Sequence, residues 1–504
     1  MKRIYCILLI PFLLFYALPT GAAEKEERKW QDETMYYVMV DRFLNGDNTN
    51  DYEVNIKDLN AYQGGDFKGV LSQLDYIKDM GFTSIGISPV FDNDEGGYHG
   101  YWVTDFYNTE EHFGTLDDFK QLVEEAHKRD LKVVLDFVVN SVGPNHSWFS
   151  APEKSDWIRG EELVANEKDN LNNLNTENPE VQAYILDAAK WWIEQTDIDG
   201  YRLDAIQQVT PAFWEEFSRE VKSVKDNFYL LGEIDNTDPS SIGKYTDMGI
   251  DGFLDYPQSE ELRNVFKTYD ISTDELPNFW EVNQENYRDP YVMGTFIDNK
   301  DMSRFTMFAA DENQFPPTRW KQAFTYMYTV PGIPISYYGS EIALNGGESP
   351  ENRKIMNFKT EKELIDHISL LGELRQKLPA LTRGSIETIS SNEGMLVYKR
   401  QYQDETIIVA INDSSETKSV KVDANLFEEG KELRGLLAGD IVKNDKGEFD
   451  IVLDRETSEI YAVADERGLN MGLILSLVTV YVLFILFIYF VRKKSKENKQ
   501  RDKE

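Results

Sequence analysis

Gly200-Tyr201-Arg202-Leu203-Asp204 and Tyr229-Leu230-Leu231-Gly232-Glu233 decide the fold. Each is a short, largely apolar run that closes on an acid, and a strand buried on both faces reads as such a run. Upstream, Val133-Val134-Leu135-Asp136 repeats the pattern, preceded by Ser84-Ile85-Gly86-Ile87 and Tyr36-Tyr37-Val38-Met39. Downstream come Gly252-Phe253-Leu254, Gly294-Thr295-Phe296-Ile297 and Ile335-Ser336-Tyr337-Tyr338, with helical patterns between the runs. Eight βα units in succession predict an α/β fold, a parallel (β/α)8 barrel spanning 24–379, with its active site at the C-terminal ends of the strands. The sixth strand is the shortest of the eight.

Three further segments stand outside this alternation. The stretch 137–178 is too long for a simple connection and too polar for a core. It carries Trp148, Trp157 and the Asn-rich run Asn170-Leu171-Asn172-Asn173-Leu174-Asn175, and it reads as a small domain B inserted over the site. Residues 380–466 turn to β alternation with turn residues, as in Ile407-Ile408-Val409-Ala410-Ile411, and predict an antiparallel β-sandwich. Met471 to Val491 is 21 residues without a charge. At ~1.5 Å per residue it spans ~31 Å, the thickness of a bilayer's hydrocarbon layer. Arg492, Lys493, Lys494 and Lys496 follow at once, so the expected topology is single-pass in the cell membrane, body outside and basic tail 492–504 in the cytoplasm. Residues 1–23, with Lys2-Arg3, an apolar run and Gly21-Ala22-Ala23, read as a secretory signal.

Composition narrows the class. The chain has 504 residues, 41% hydrophobic and 13% aromatic, which is ample for a core. Cys6 is the single cysteine, so no intramolecular disulfide framework or thiolate zinc site exists. A net charge of -36 argues against a nucleic-acid partner, because phosphate binding needs clustered Lys and Arg.

Asp136, Asp204 and Glu233 close three strands, and Asp301 follows a fourth by a few residues. One acid at a strand end is usually a cap, but four on strands three, four, five and seven share one rim. Neighbouring strands lie ~4.8 Å apart, so acids on strands four and five can approach the ~5–5.5 Å separation of a retaining glycosidase. Arg202 and Asp204 are two residues apart and point to one face. The arginine either favours the ionised form of Asp204, as a nucleophile needs, or forms a structural ion pair. Glu233 then takes the acid/base role in a less charged setting. Tyr98-His99-Gly100-Tyr101-Trp102 offers apolar ring faces for a sugar and a hydrogen-bond donor in His99, or simply core packing. Asn45, Asp47, Asn50 and Asp51, with Gly64-Gly65-Asp66 following, supply hard oxygens suited to calcium, or a polar Asx-rich loop.

Taken together, these motifs resemble the α-amylase family of retaining glycoside hydrolases over residues 33–465. Asp136-Phe137-Val138-Val139-Asn140 is similar to its first motif, Gly200 to Ala205 to the nucleophile motif, and Gly232-Glu233 to the acid/base motif. Phe296-Ile297-Asp298-Asn299-Lys300-Asp301 is similar to the motif of the third acid, and Gly332-Ile333-Pro334 through Tyr337-Tyr338-Gly339-Ser340-Glu341 to the eighth-strand pattern. The resemblance implies Asp204 as nucleophile, Glu233 as acid/base and Asp301 as transition-state stabiliser. It implies that His99, Tyr101, Arg202 and Lys300 line the subsite of the cleaved glucose. It also implies a Ca2+ cofactor held by Asn45, Asp47, Asn50, Asp51, Gly64 and Asp66. A second calcium site would use Asn140 and the position of Asn173, where the family usually carries Asp.

Several positions depart from the family pattern. Ser141 stands where the first motif ends in His, Gln207-Gln208 where Lys-His is common, and Lys300 where His precedes the third acid. Each substrate hydrogen bond lost in this way costs ~1–3 kcal/mol, so the departures are expected to alter rate and specificity. The expected function is hydrolysis of α-1,4-glucosidic bonds in starch-like glucans at the cell surface. A cyclomaltodextrinase or glucan transferase is the related alternative. A non-catalytic carbohydrate-binding or scaffold protein is the reading from another class, and retention of all three acids weighs against it.

Overall fold

The computed structural model describes residues 27–159, 172–204, 206–466 and 471–501. The expected signal 1–23, Ala205, and Asn170 and Leu171 of the Asn-rich run lie outside the described residues.

Eight parallel strands form the barrel: β1 (Met35–Val38), β2 (Ser84–Ile87), β3 (Lys132–Phe137), β4 (Gly200–Leu203), β5 (Tyr229–Gly232), β6 (Gly252–Phe253), β7 (Gly294–Thr295) and β8 (Ile333–Tyr337). They pair in sequence order, with β8 against both β7 and β1. A parallel bridge from Leu254 to Gly294 closes the gap between β6 and β7. Both of those strands have two residues, so the brevity expected of the sixth extends to the seventh. The strands are buried throughout except for Lys132 at the start of β3, which accounts for their continuous apolar character.

The surrounding helices start where local chemistry dictates. Pro179, Pro211, Pro316 and Pro379 each open a helix at the first turn, where the missing N–H costs nothing. Leu116–Lys128 opens on a reciprocal Thr115–Asp118 capping box, a device that stabilises a helix by about 1 kcal/mol. These caps fix where each strand hands over to its helix, and so where the rim residues lie.

The insertion after β3 pairs back on itself: Ser141–Val142 runs antiparallel to Asn172–Asn173. Its Trp148 and Trp157 pack edge-to-face against each other and edge-to-face or tilted against Tyr184, anchoring the insertion on the helix Pro179–Thr196. After the short helix Pro379–Arg383, eight antiparallel strands from Ser385–Asn392 to Thr457–Asp465 form the C-terminal β-sandwich, starting five residues later than the sequence reading placed it. Its core is built by Val397, Ile408, Val422, Phe449 and Ile451. The sandwich is fastened to the barrel helix Pro316–Thr329 by Arg319, which pairs with Asp413 and, at 3.1 Å, with Glu456.

Met471–Arg501 is one 31-residue helix. Its large apolar side chains from Leu475 to Val491 are exposed.

Candidate active site

Strand register brings the rim together. Arg202 on β4 lies opposite Asp136 on β3 and Leu231 on β5, and Leu203 lies opposite Gly232. Glu233 is therefore the first residue beyond β5, beside Asp204, the first beyond β4. The Arg202 guanidinium donates to Asp136 Oδ2 at 2.6 Å and forms an ion pair with Glu233 on its other nitrogen. Of the two roles open to the arginine, this is the structural ion pair, and it corrects the expectation of a less charged setting for Glu233. Matched register places the side chains of the neighbouring strands within reach of the guanidinium.

Asp136 is the anchor of the arrangement. Its Oδ2 also accepts from Tyr37 at 2.6 Å and from Tyr101 at 2.7 Å. Glu233 Oε1 accepts from Tyr256 at 2.7 Å, and that hydroxyl accepts from Asn299 Nδ2 at 2.8 Å. Lys300 Nζ lies 2.5 Å from Asp301, 3.7 Å from Glu233 and 4.5 Å above the Tyr101 ring. Arg353 reaches Asp301 Oδ1 at 3.4 Å and the Lys300 carbonyl at 3.0 Å. His99 Nδ1 accepts from the Tyr101 amide at 3.1 Å, which leaves Nε2 as the donor of a neutral ring.

Electrostatics separate the acids. Burial drives the Glu233 carboxyl above its ordinary value; Arg202 and Lys300 oppose that rise, while the charges of Asp204 and Asp301 add to it. For Asp301 burial also acts upward, but Lys300 and Arg353 outweigh it and hold the group below its usual range. Burial, followed by the positive charges of Arg353, Lys300 and Arg42, keeps His99 far below the ordinary imidazole value. Lys300 is buried, yet Asp301, Glu233 and Asp204 hold its ammonium well above the usual lysine value. Asp204, Glu233 and Asp301 thus act on one lysine from one rim. One acid is shifted up and another down, and such a division suits acid–base work.

Residue by residue, Asp204, Glu233, Asp301, His99, Tyr101, Arg202 and Lys300 share this rim. Tyr37, Tyr256, Asn299 and Arg353 belong to it too and were missed. Tyr256 carries a signal in hindsight, as it follows β6 on the same rim. Arg353 sits in a loop after β8 with no periodicity to mark it.

The Asx-rich loop is a separate cluster. Asn45 Nδ2 donates to Asp51 Oδ1 at 2.7 Å, and Asn50 Nδ2 to the His112 carbonyl at 2.8 Å. The side-chain oxygens of Asn45 and Asn50 are buried without a hydrogen-bond partner. Gly64 has φ +89°, and a Cβ there would come within 2.7 Å of Asn45 Nδ2 and 3.0 Å of Asp51 Oδ1. Orphaned hard oxygens around a space only glycine leaves open fit a calcium ion. Asp47 and Asp66 of the expected ligand set make further contacts of their own. Asp47 Oδ2 pairs with Lys68 at 2.5 Å, and Asp66 accepts the backbone N–H groups of Gly46 and Asp47, both at 2.8 Å, and of Gly69 at 2.6 Å. Asp66 braces the loop and caps the following helix.

Residues 37–162 and 154–375 match the family model of the alpha amylase catalytic domain, and 384–461 match that of the alpha-amylase C-terminal domain. The chain belongs to the α-amylase family. Within that family of glycoside hydrolases, the crystal structure of an α-amylase from Anoxybacillus superposes with a TM-score of 0.86 at 53% identity, covering 88% of this chain and all of that one. An α-amylase from Geobacillus thermoleovorans, solved with acarbose, gives 0.84 at 49% identity over 88% of this chain and all of that one. A maltogenic alpha-amylase of Bacillus acidopullulyticus is 31% identical over 77% of this chain and 70% of its own length. The beta/alpha-amylase of Paenibacillus polymyxa is 33% identical over 86% of this chain, which spans only 38% of that longer protein.

Proposed function

We propose that this α-amylase-family enzyme is a retaining hydrolase of α-1,4-glucosidic bonds in starch-like glucans, working at the outer face of the cell membrane. The observation that carries the reading is the rim on which Asp204, Glu233 and Asp301 meet, with the Glu233 carboxyl raised by burial. Protonated Glu233 gives its proton to the glycosidic oxygen as the Asp204 carboxylate attacks the anomeric carbon. The C–O bond breaks, the leaving chain departs as an alcohol and a glycosyl ester forms. Glu233, now a carboxylate, takes a proton from water, which attacks the same carbon and frees Asp204. Asp301, held ionised, receives sugar hydroxyls. His99 Nε2 and the Arg202–Tyr101–Asp136 group shape the subsite around the glucose that is cleaved.

Calcium fits the loop at Asn45, Asn50, Asp51 and Gly64, where it would tie the polar loop to the barrel. The exposed apolar helix is the proposed bilayer anchor, with its basic tail in the cytoplasm. Among the relatives, the maltogenic alpha-amylase supports short maltooligosaccharide products, and cyclomaltodextrinases of Geobacillus thermopakistaniensis and Thermoanaerobacter pseudethanolicus support ring opening as a second reading.

The test is to incubate the full chain in detergent with starch, maltooligosaccharides, cyclodextrins and pullulan, with Glu233→Gln as control. The product anomer is read by NMR at early times, and a 2-deoxy-2-fluoroglucosyl fluoride is used to trap the ester. α-Configured products and a mass increase on the peptide containing Asp204 are expected. Inverted products, or turnover equal in Glu233→Gln, would overturn the proposal.

A further inference from the structure

The joint between the barrel and its insertion lies at Asn140, three residues beyond β3 and 2% exposed. Its carbonyl accepts from the Leu174 amide at 2.7 Å, beside the Ser141–Val142 and Asn172–Asn173 pairing. Its Nδ2 donates to Asn173 Oδ1 at 3.0 Å and to Gln208 Oε1 at 2.7 Å. One amide therefore joins three chain segments: the end of β3, the return of the insertion and the turn after β4. The family resemblance implies a calcium ion at this joint, through Asn140 and position 173.

These residues do not fit that ion. All three side chains are neutral, whereas calcium affinity rises with the number of charged ligands. The amide nitrogen already faces both oxygens. We infer that the Asn140 amide itself stands in for the second calcium, drawing the Asn173 and Gln208 oxygens together with its two N–H groups. A primary amide has two hydrogens in one plane, so it can serve two acceptors as a small cation would, without charge or dehydration. This links two departures that look independent in the sequence. Asn at 173 and Gln at 208 are both acceptors matched to an N–H donor. The insertion is then fastened to the barrel without metal, and the catalytic cleft keeps its wall when calcium is scarce.

The opposing arrangement is specific. Asn140 Oδ1 is buried with no hydrogen-bond partner. Rotating that amide by half a turn would bring three oxygens to one point, which is what a cation would require.

The experiment counts ions. The full chain in detergent is stripped with a chelator, returned to millimolar calcium, desalted and measured by atomic emission for calcium per chain. Asn140→Asp, nearly isosteric, loses the donor and adds the missing charge, so it is expected to hold one more ion than the parent. Its melting temperature should acquire a calcium-dependent component of several degrees that the parent lacks. Asn140→Ala should hold the same number as the parent. A count lowered by one in Asn140→Ala would show that the parent already carries an ion there, and a count unchanged in Asn140→Asp would show that charge is not what the joint lacks; either result would overturn the inference.

Discussion

Two groups of polar side chains stand close to the same strands and differ in kind. At Asp136, Arg202, Glu233, Lys300 and Asp301, nearly every contact involves a full charge. A few residues farther along, Asn140 and Gln208 meet through neutral amides alone. The rim bears the cost of burying charges because a glycosyl transition state is itself charged and needs partners fixed in place beforehand. The joint to the insertion has only to hold, and neutral hydrogen bonds hold at lower desolvation cost.

The contrast breaks most sharply at Glu233. Replacing it by Gln removes the transferable proton while keeping the shape, so kcat should fall by a factor of roughly 10²–10⁴ in an assay on maltooligosaccharides. A fall of less than tenfold would mean the proton comes from elsewhere. Lys300→Met is next. The loss of a charge-assisted contact of about 1.5–3 kcal/mol should lower kcat/KM by roughly 10- to 150-fold. Lys300 pulls the Glu233 carboxyl down, so its removal lets that value rise further. Glu233 must enter the reaction protonated, and the high-pH limb of kcat/KM should therefore move to higher pH in Lys300→Met. A limb that stays fixed or moves down would show that Lys300 acts only on the sugar.

Tyr256→Phe keeps the ring and loses one hydrogen bond to Glu233. A fall in kcat of about 5- to 30-fold, with the melting temperature little changed, would mark it as a positioning residue. Calcium removal acts on stability instead: chelation should lower the melting temperature by several degrees, and Asp51→Ala should abolish that response. The smallest effect belongs to the neutral joint. Gln208 is exposed and accepts one hydrogen bond from Asn140, so Gln208→Ala should cost about 1 kcal/mol or less, read as a shift of a few degrees at most, with kcat unchanged.

The sequence carried the barrel because each strand is an unbroken apolar run and each rim acid interrupts one. The limits had physical causes as well. β6 and β7 keep only two ladder residues, so propensity places their centres and not their ends. The partner of Arg202 depends on the register between β3 and β4, which are separated in the chain by the whole insertion and leave no local mark. Asp47 and Asp66 have the chemistry of metal ligands, and only the structure reveals the Lys68 ammonium and the three backbone N–H groups that also contact them. Arg353 reaches the rim from a loop, where side-chain direction follows the path of the backbone and not a repeating pattern.

The last sandwich strand ends at Asp465 and the apolar helix starts at Met471. Five intervening residues can stretch no farther than about 20 Å. With the helix seated as proposed, the enzyme is moored on a leash shorter than its own width. So held, it would not reach far from the bilayer surface. Substrate would then have to arrive as soluble chains, and the fragments would be released within a few nanometres of the lipid.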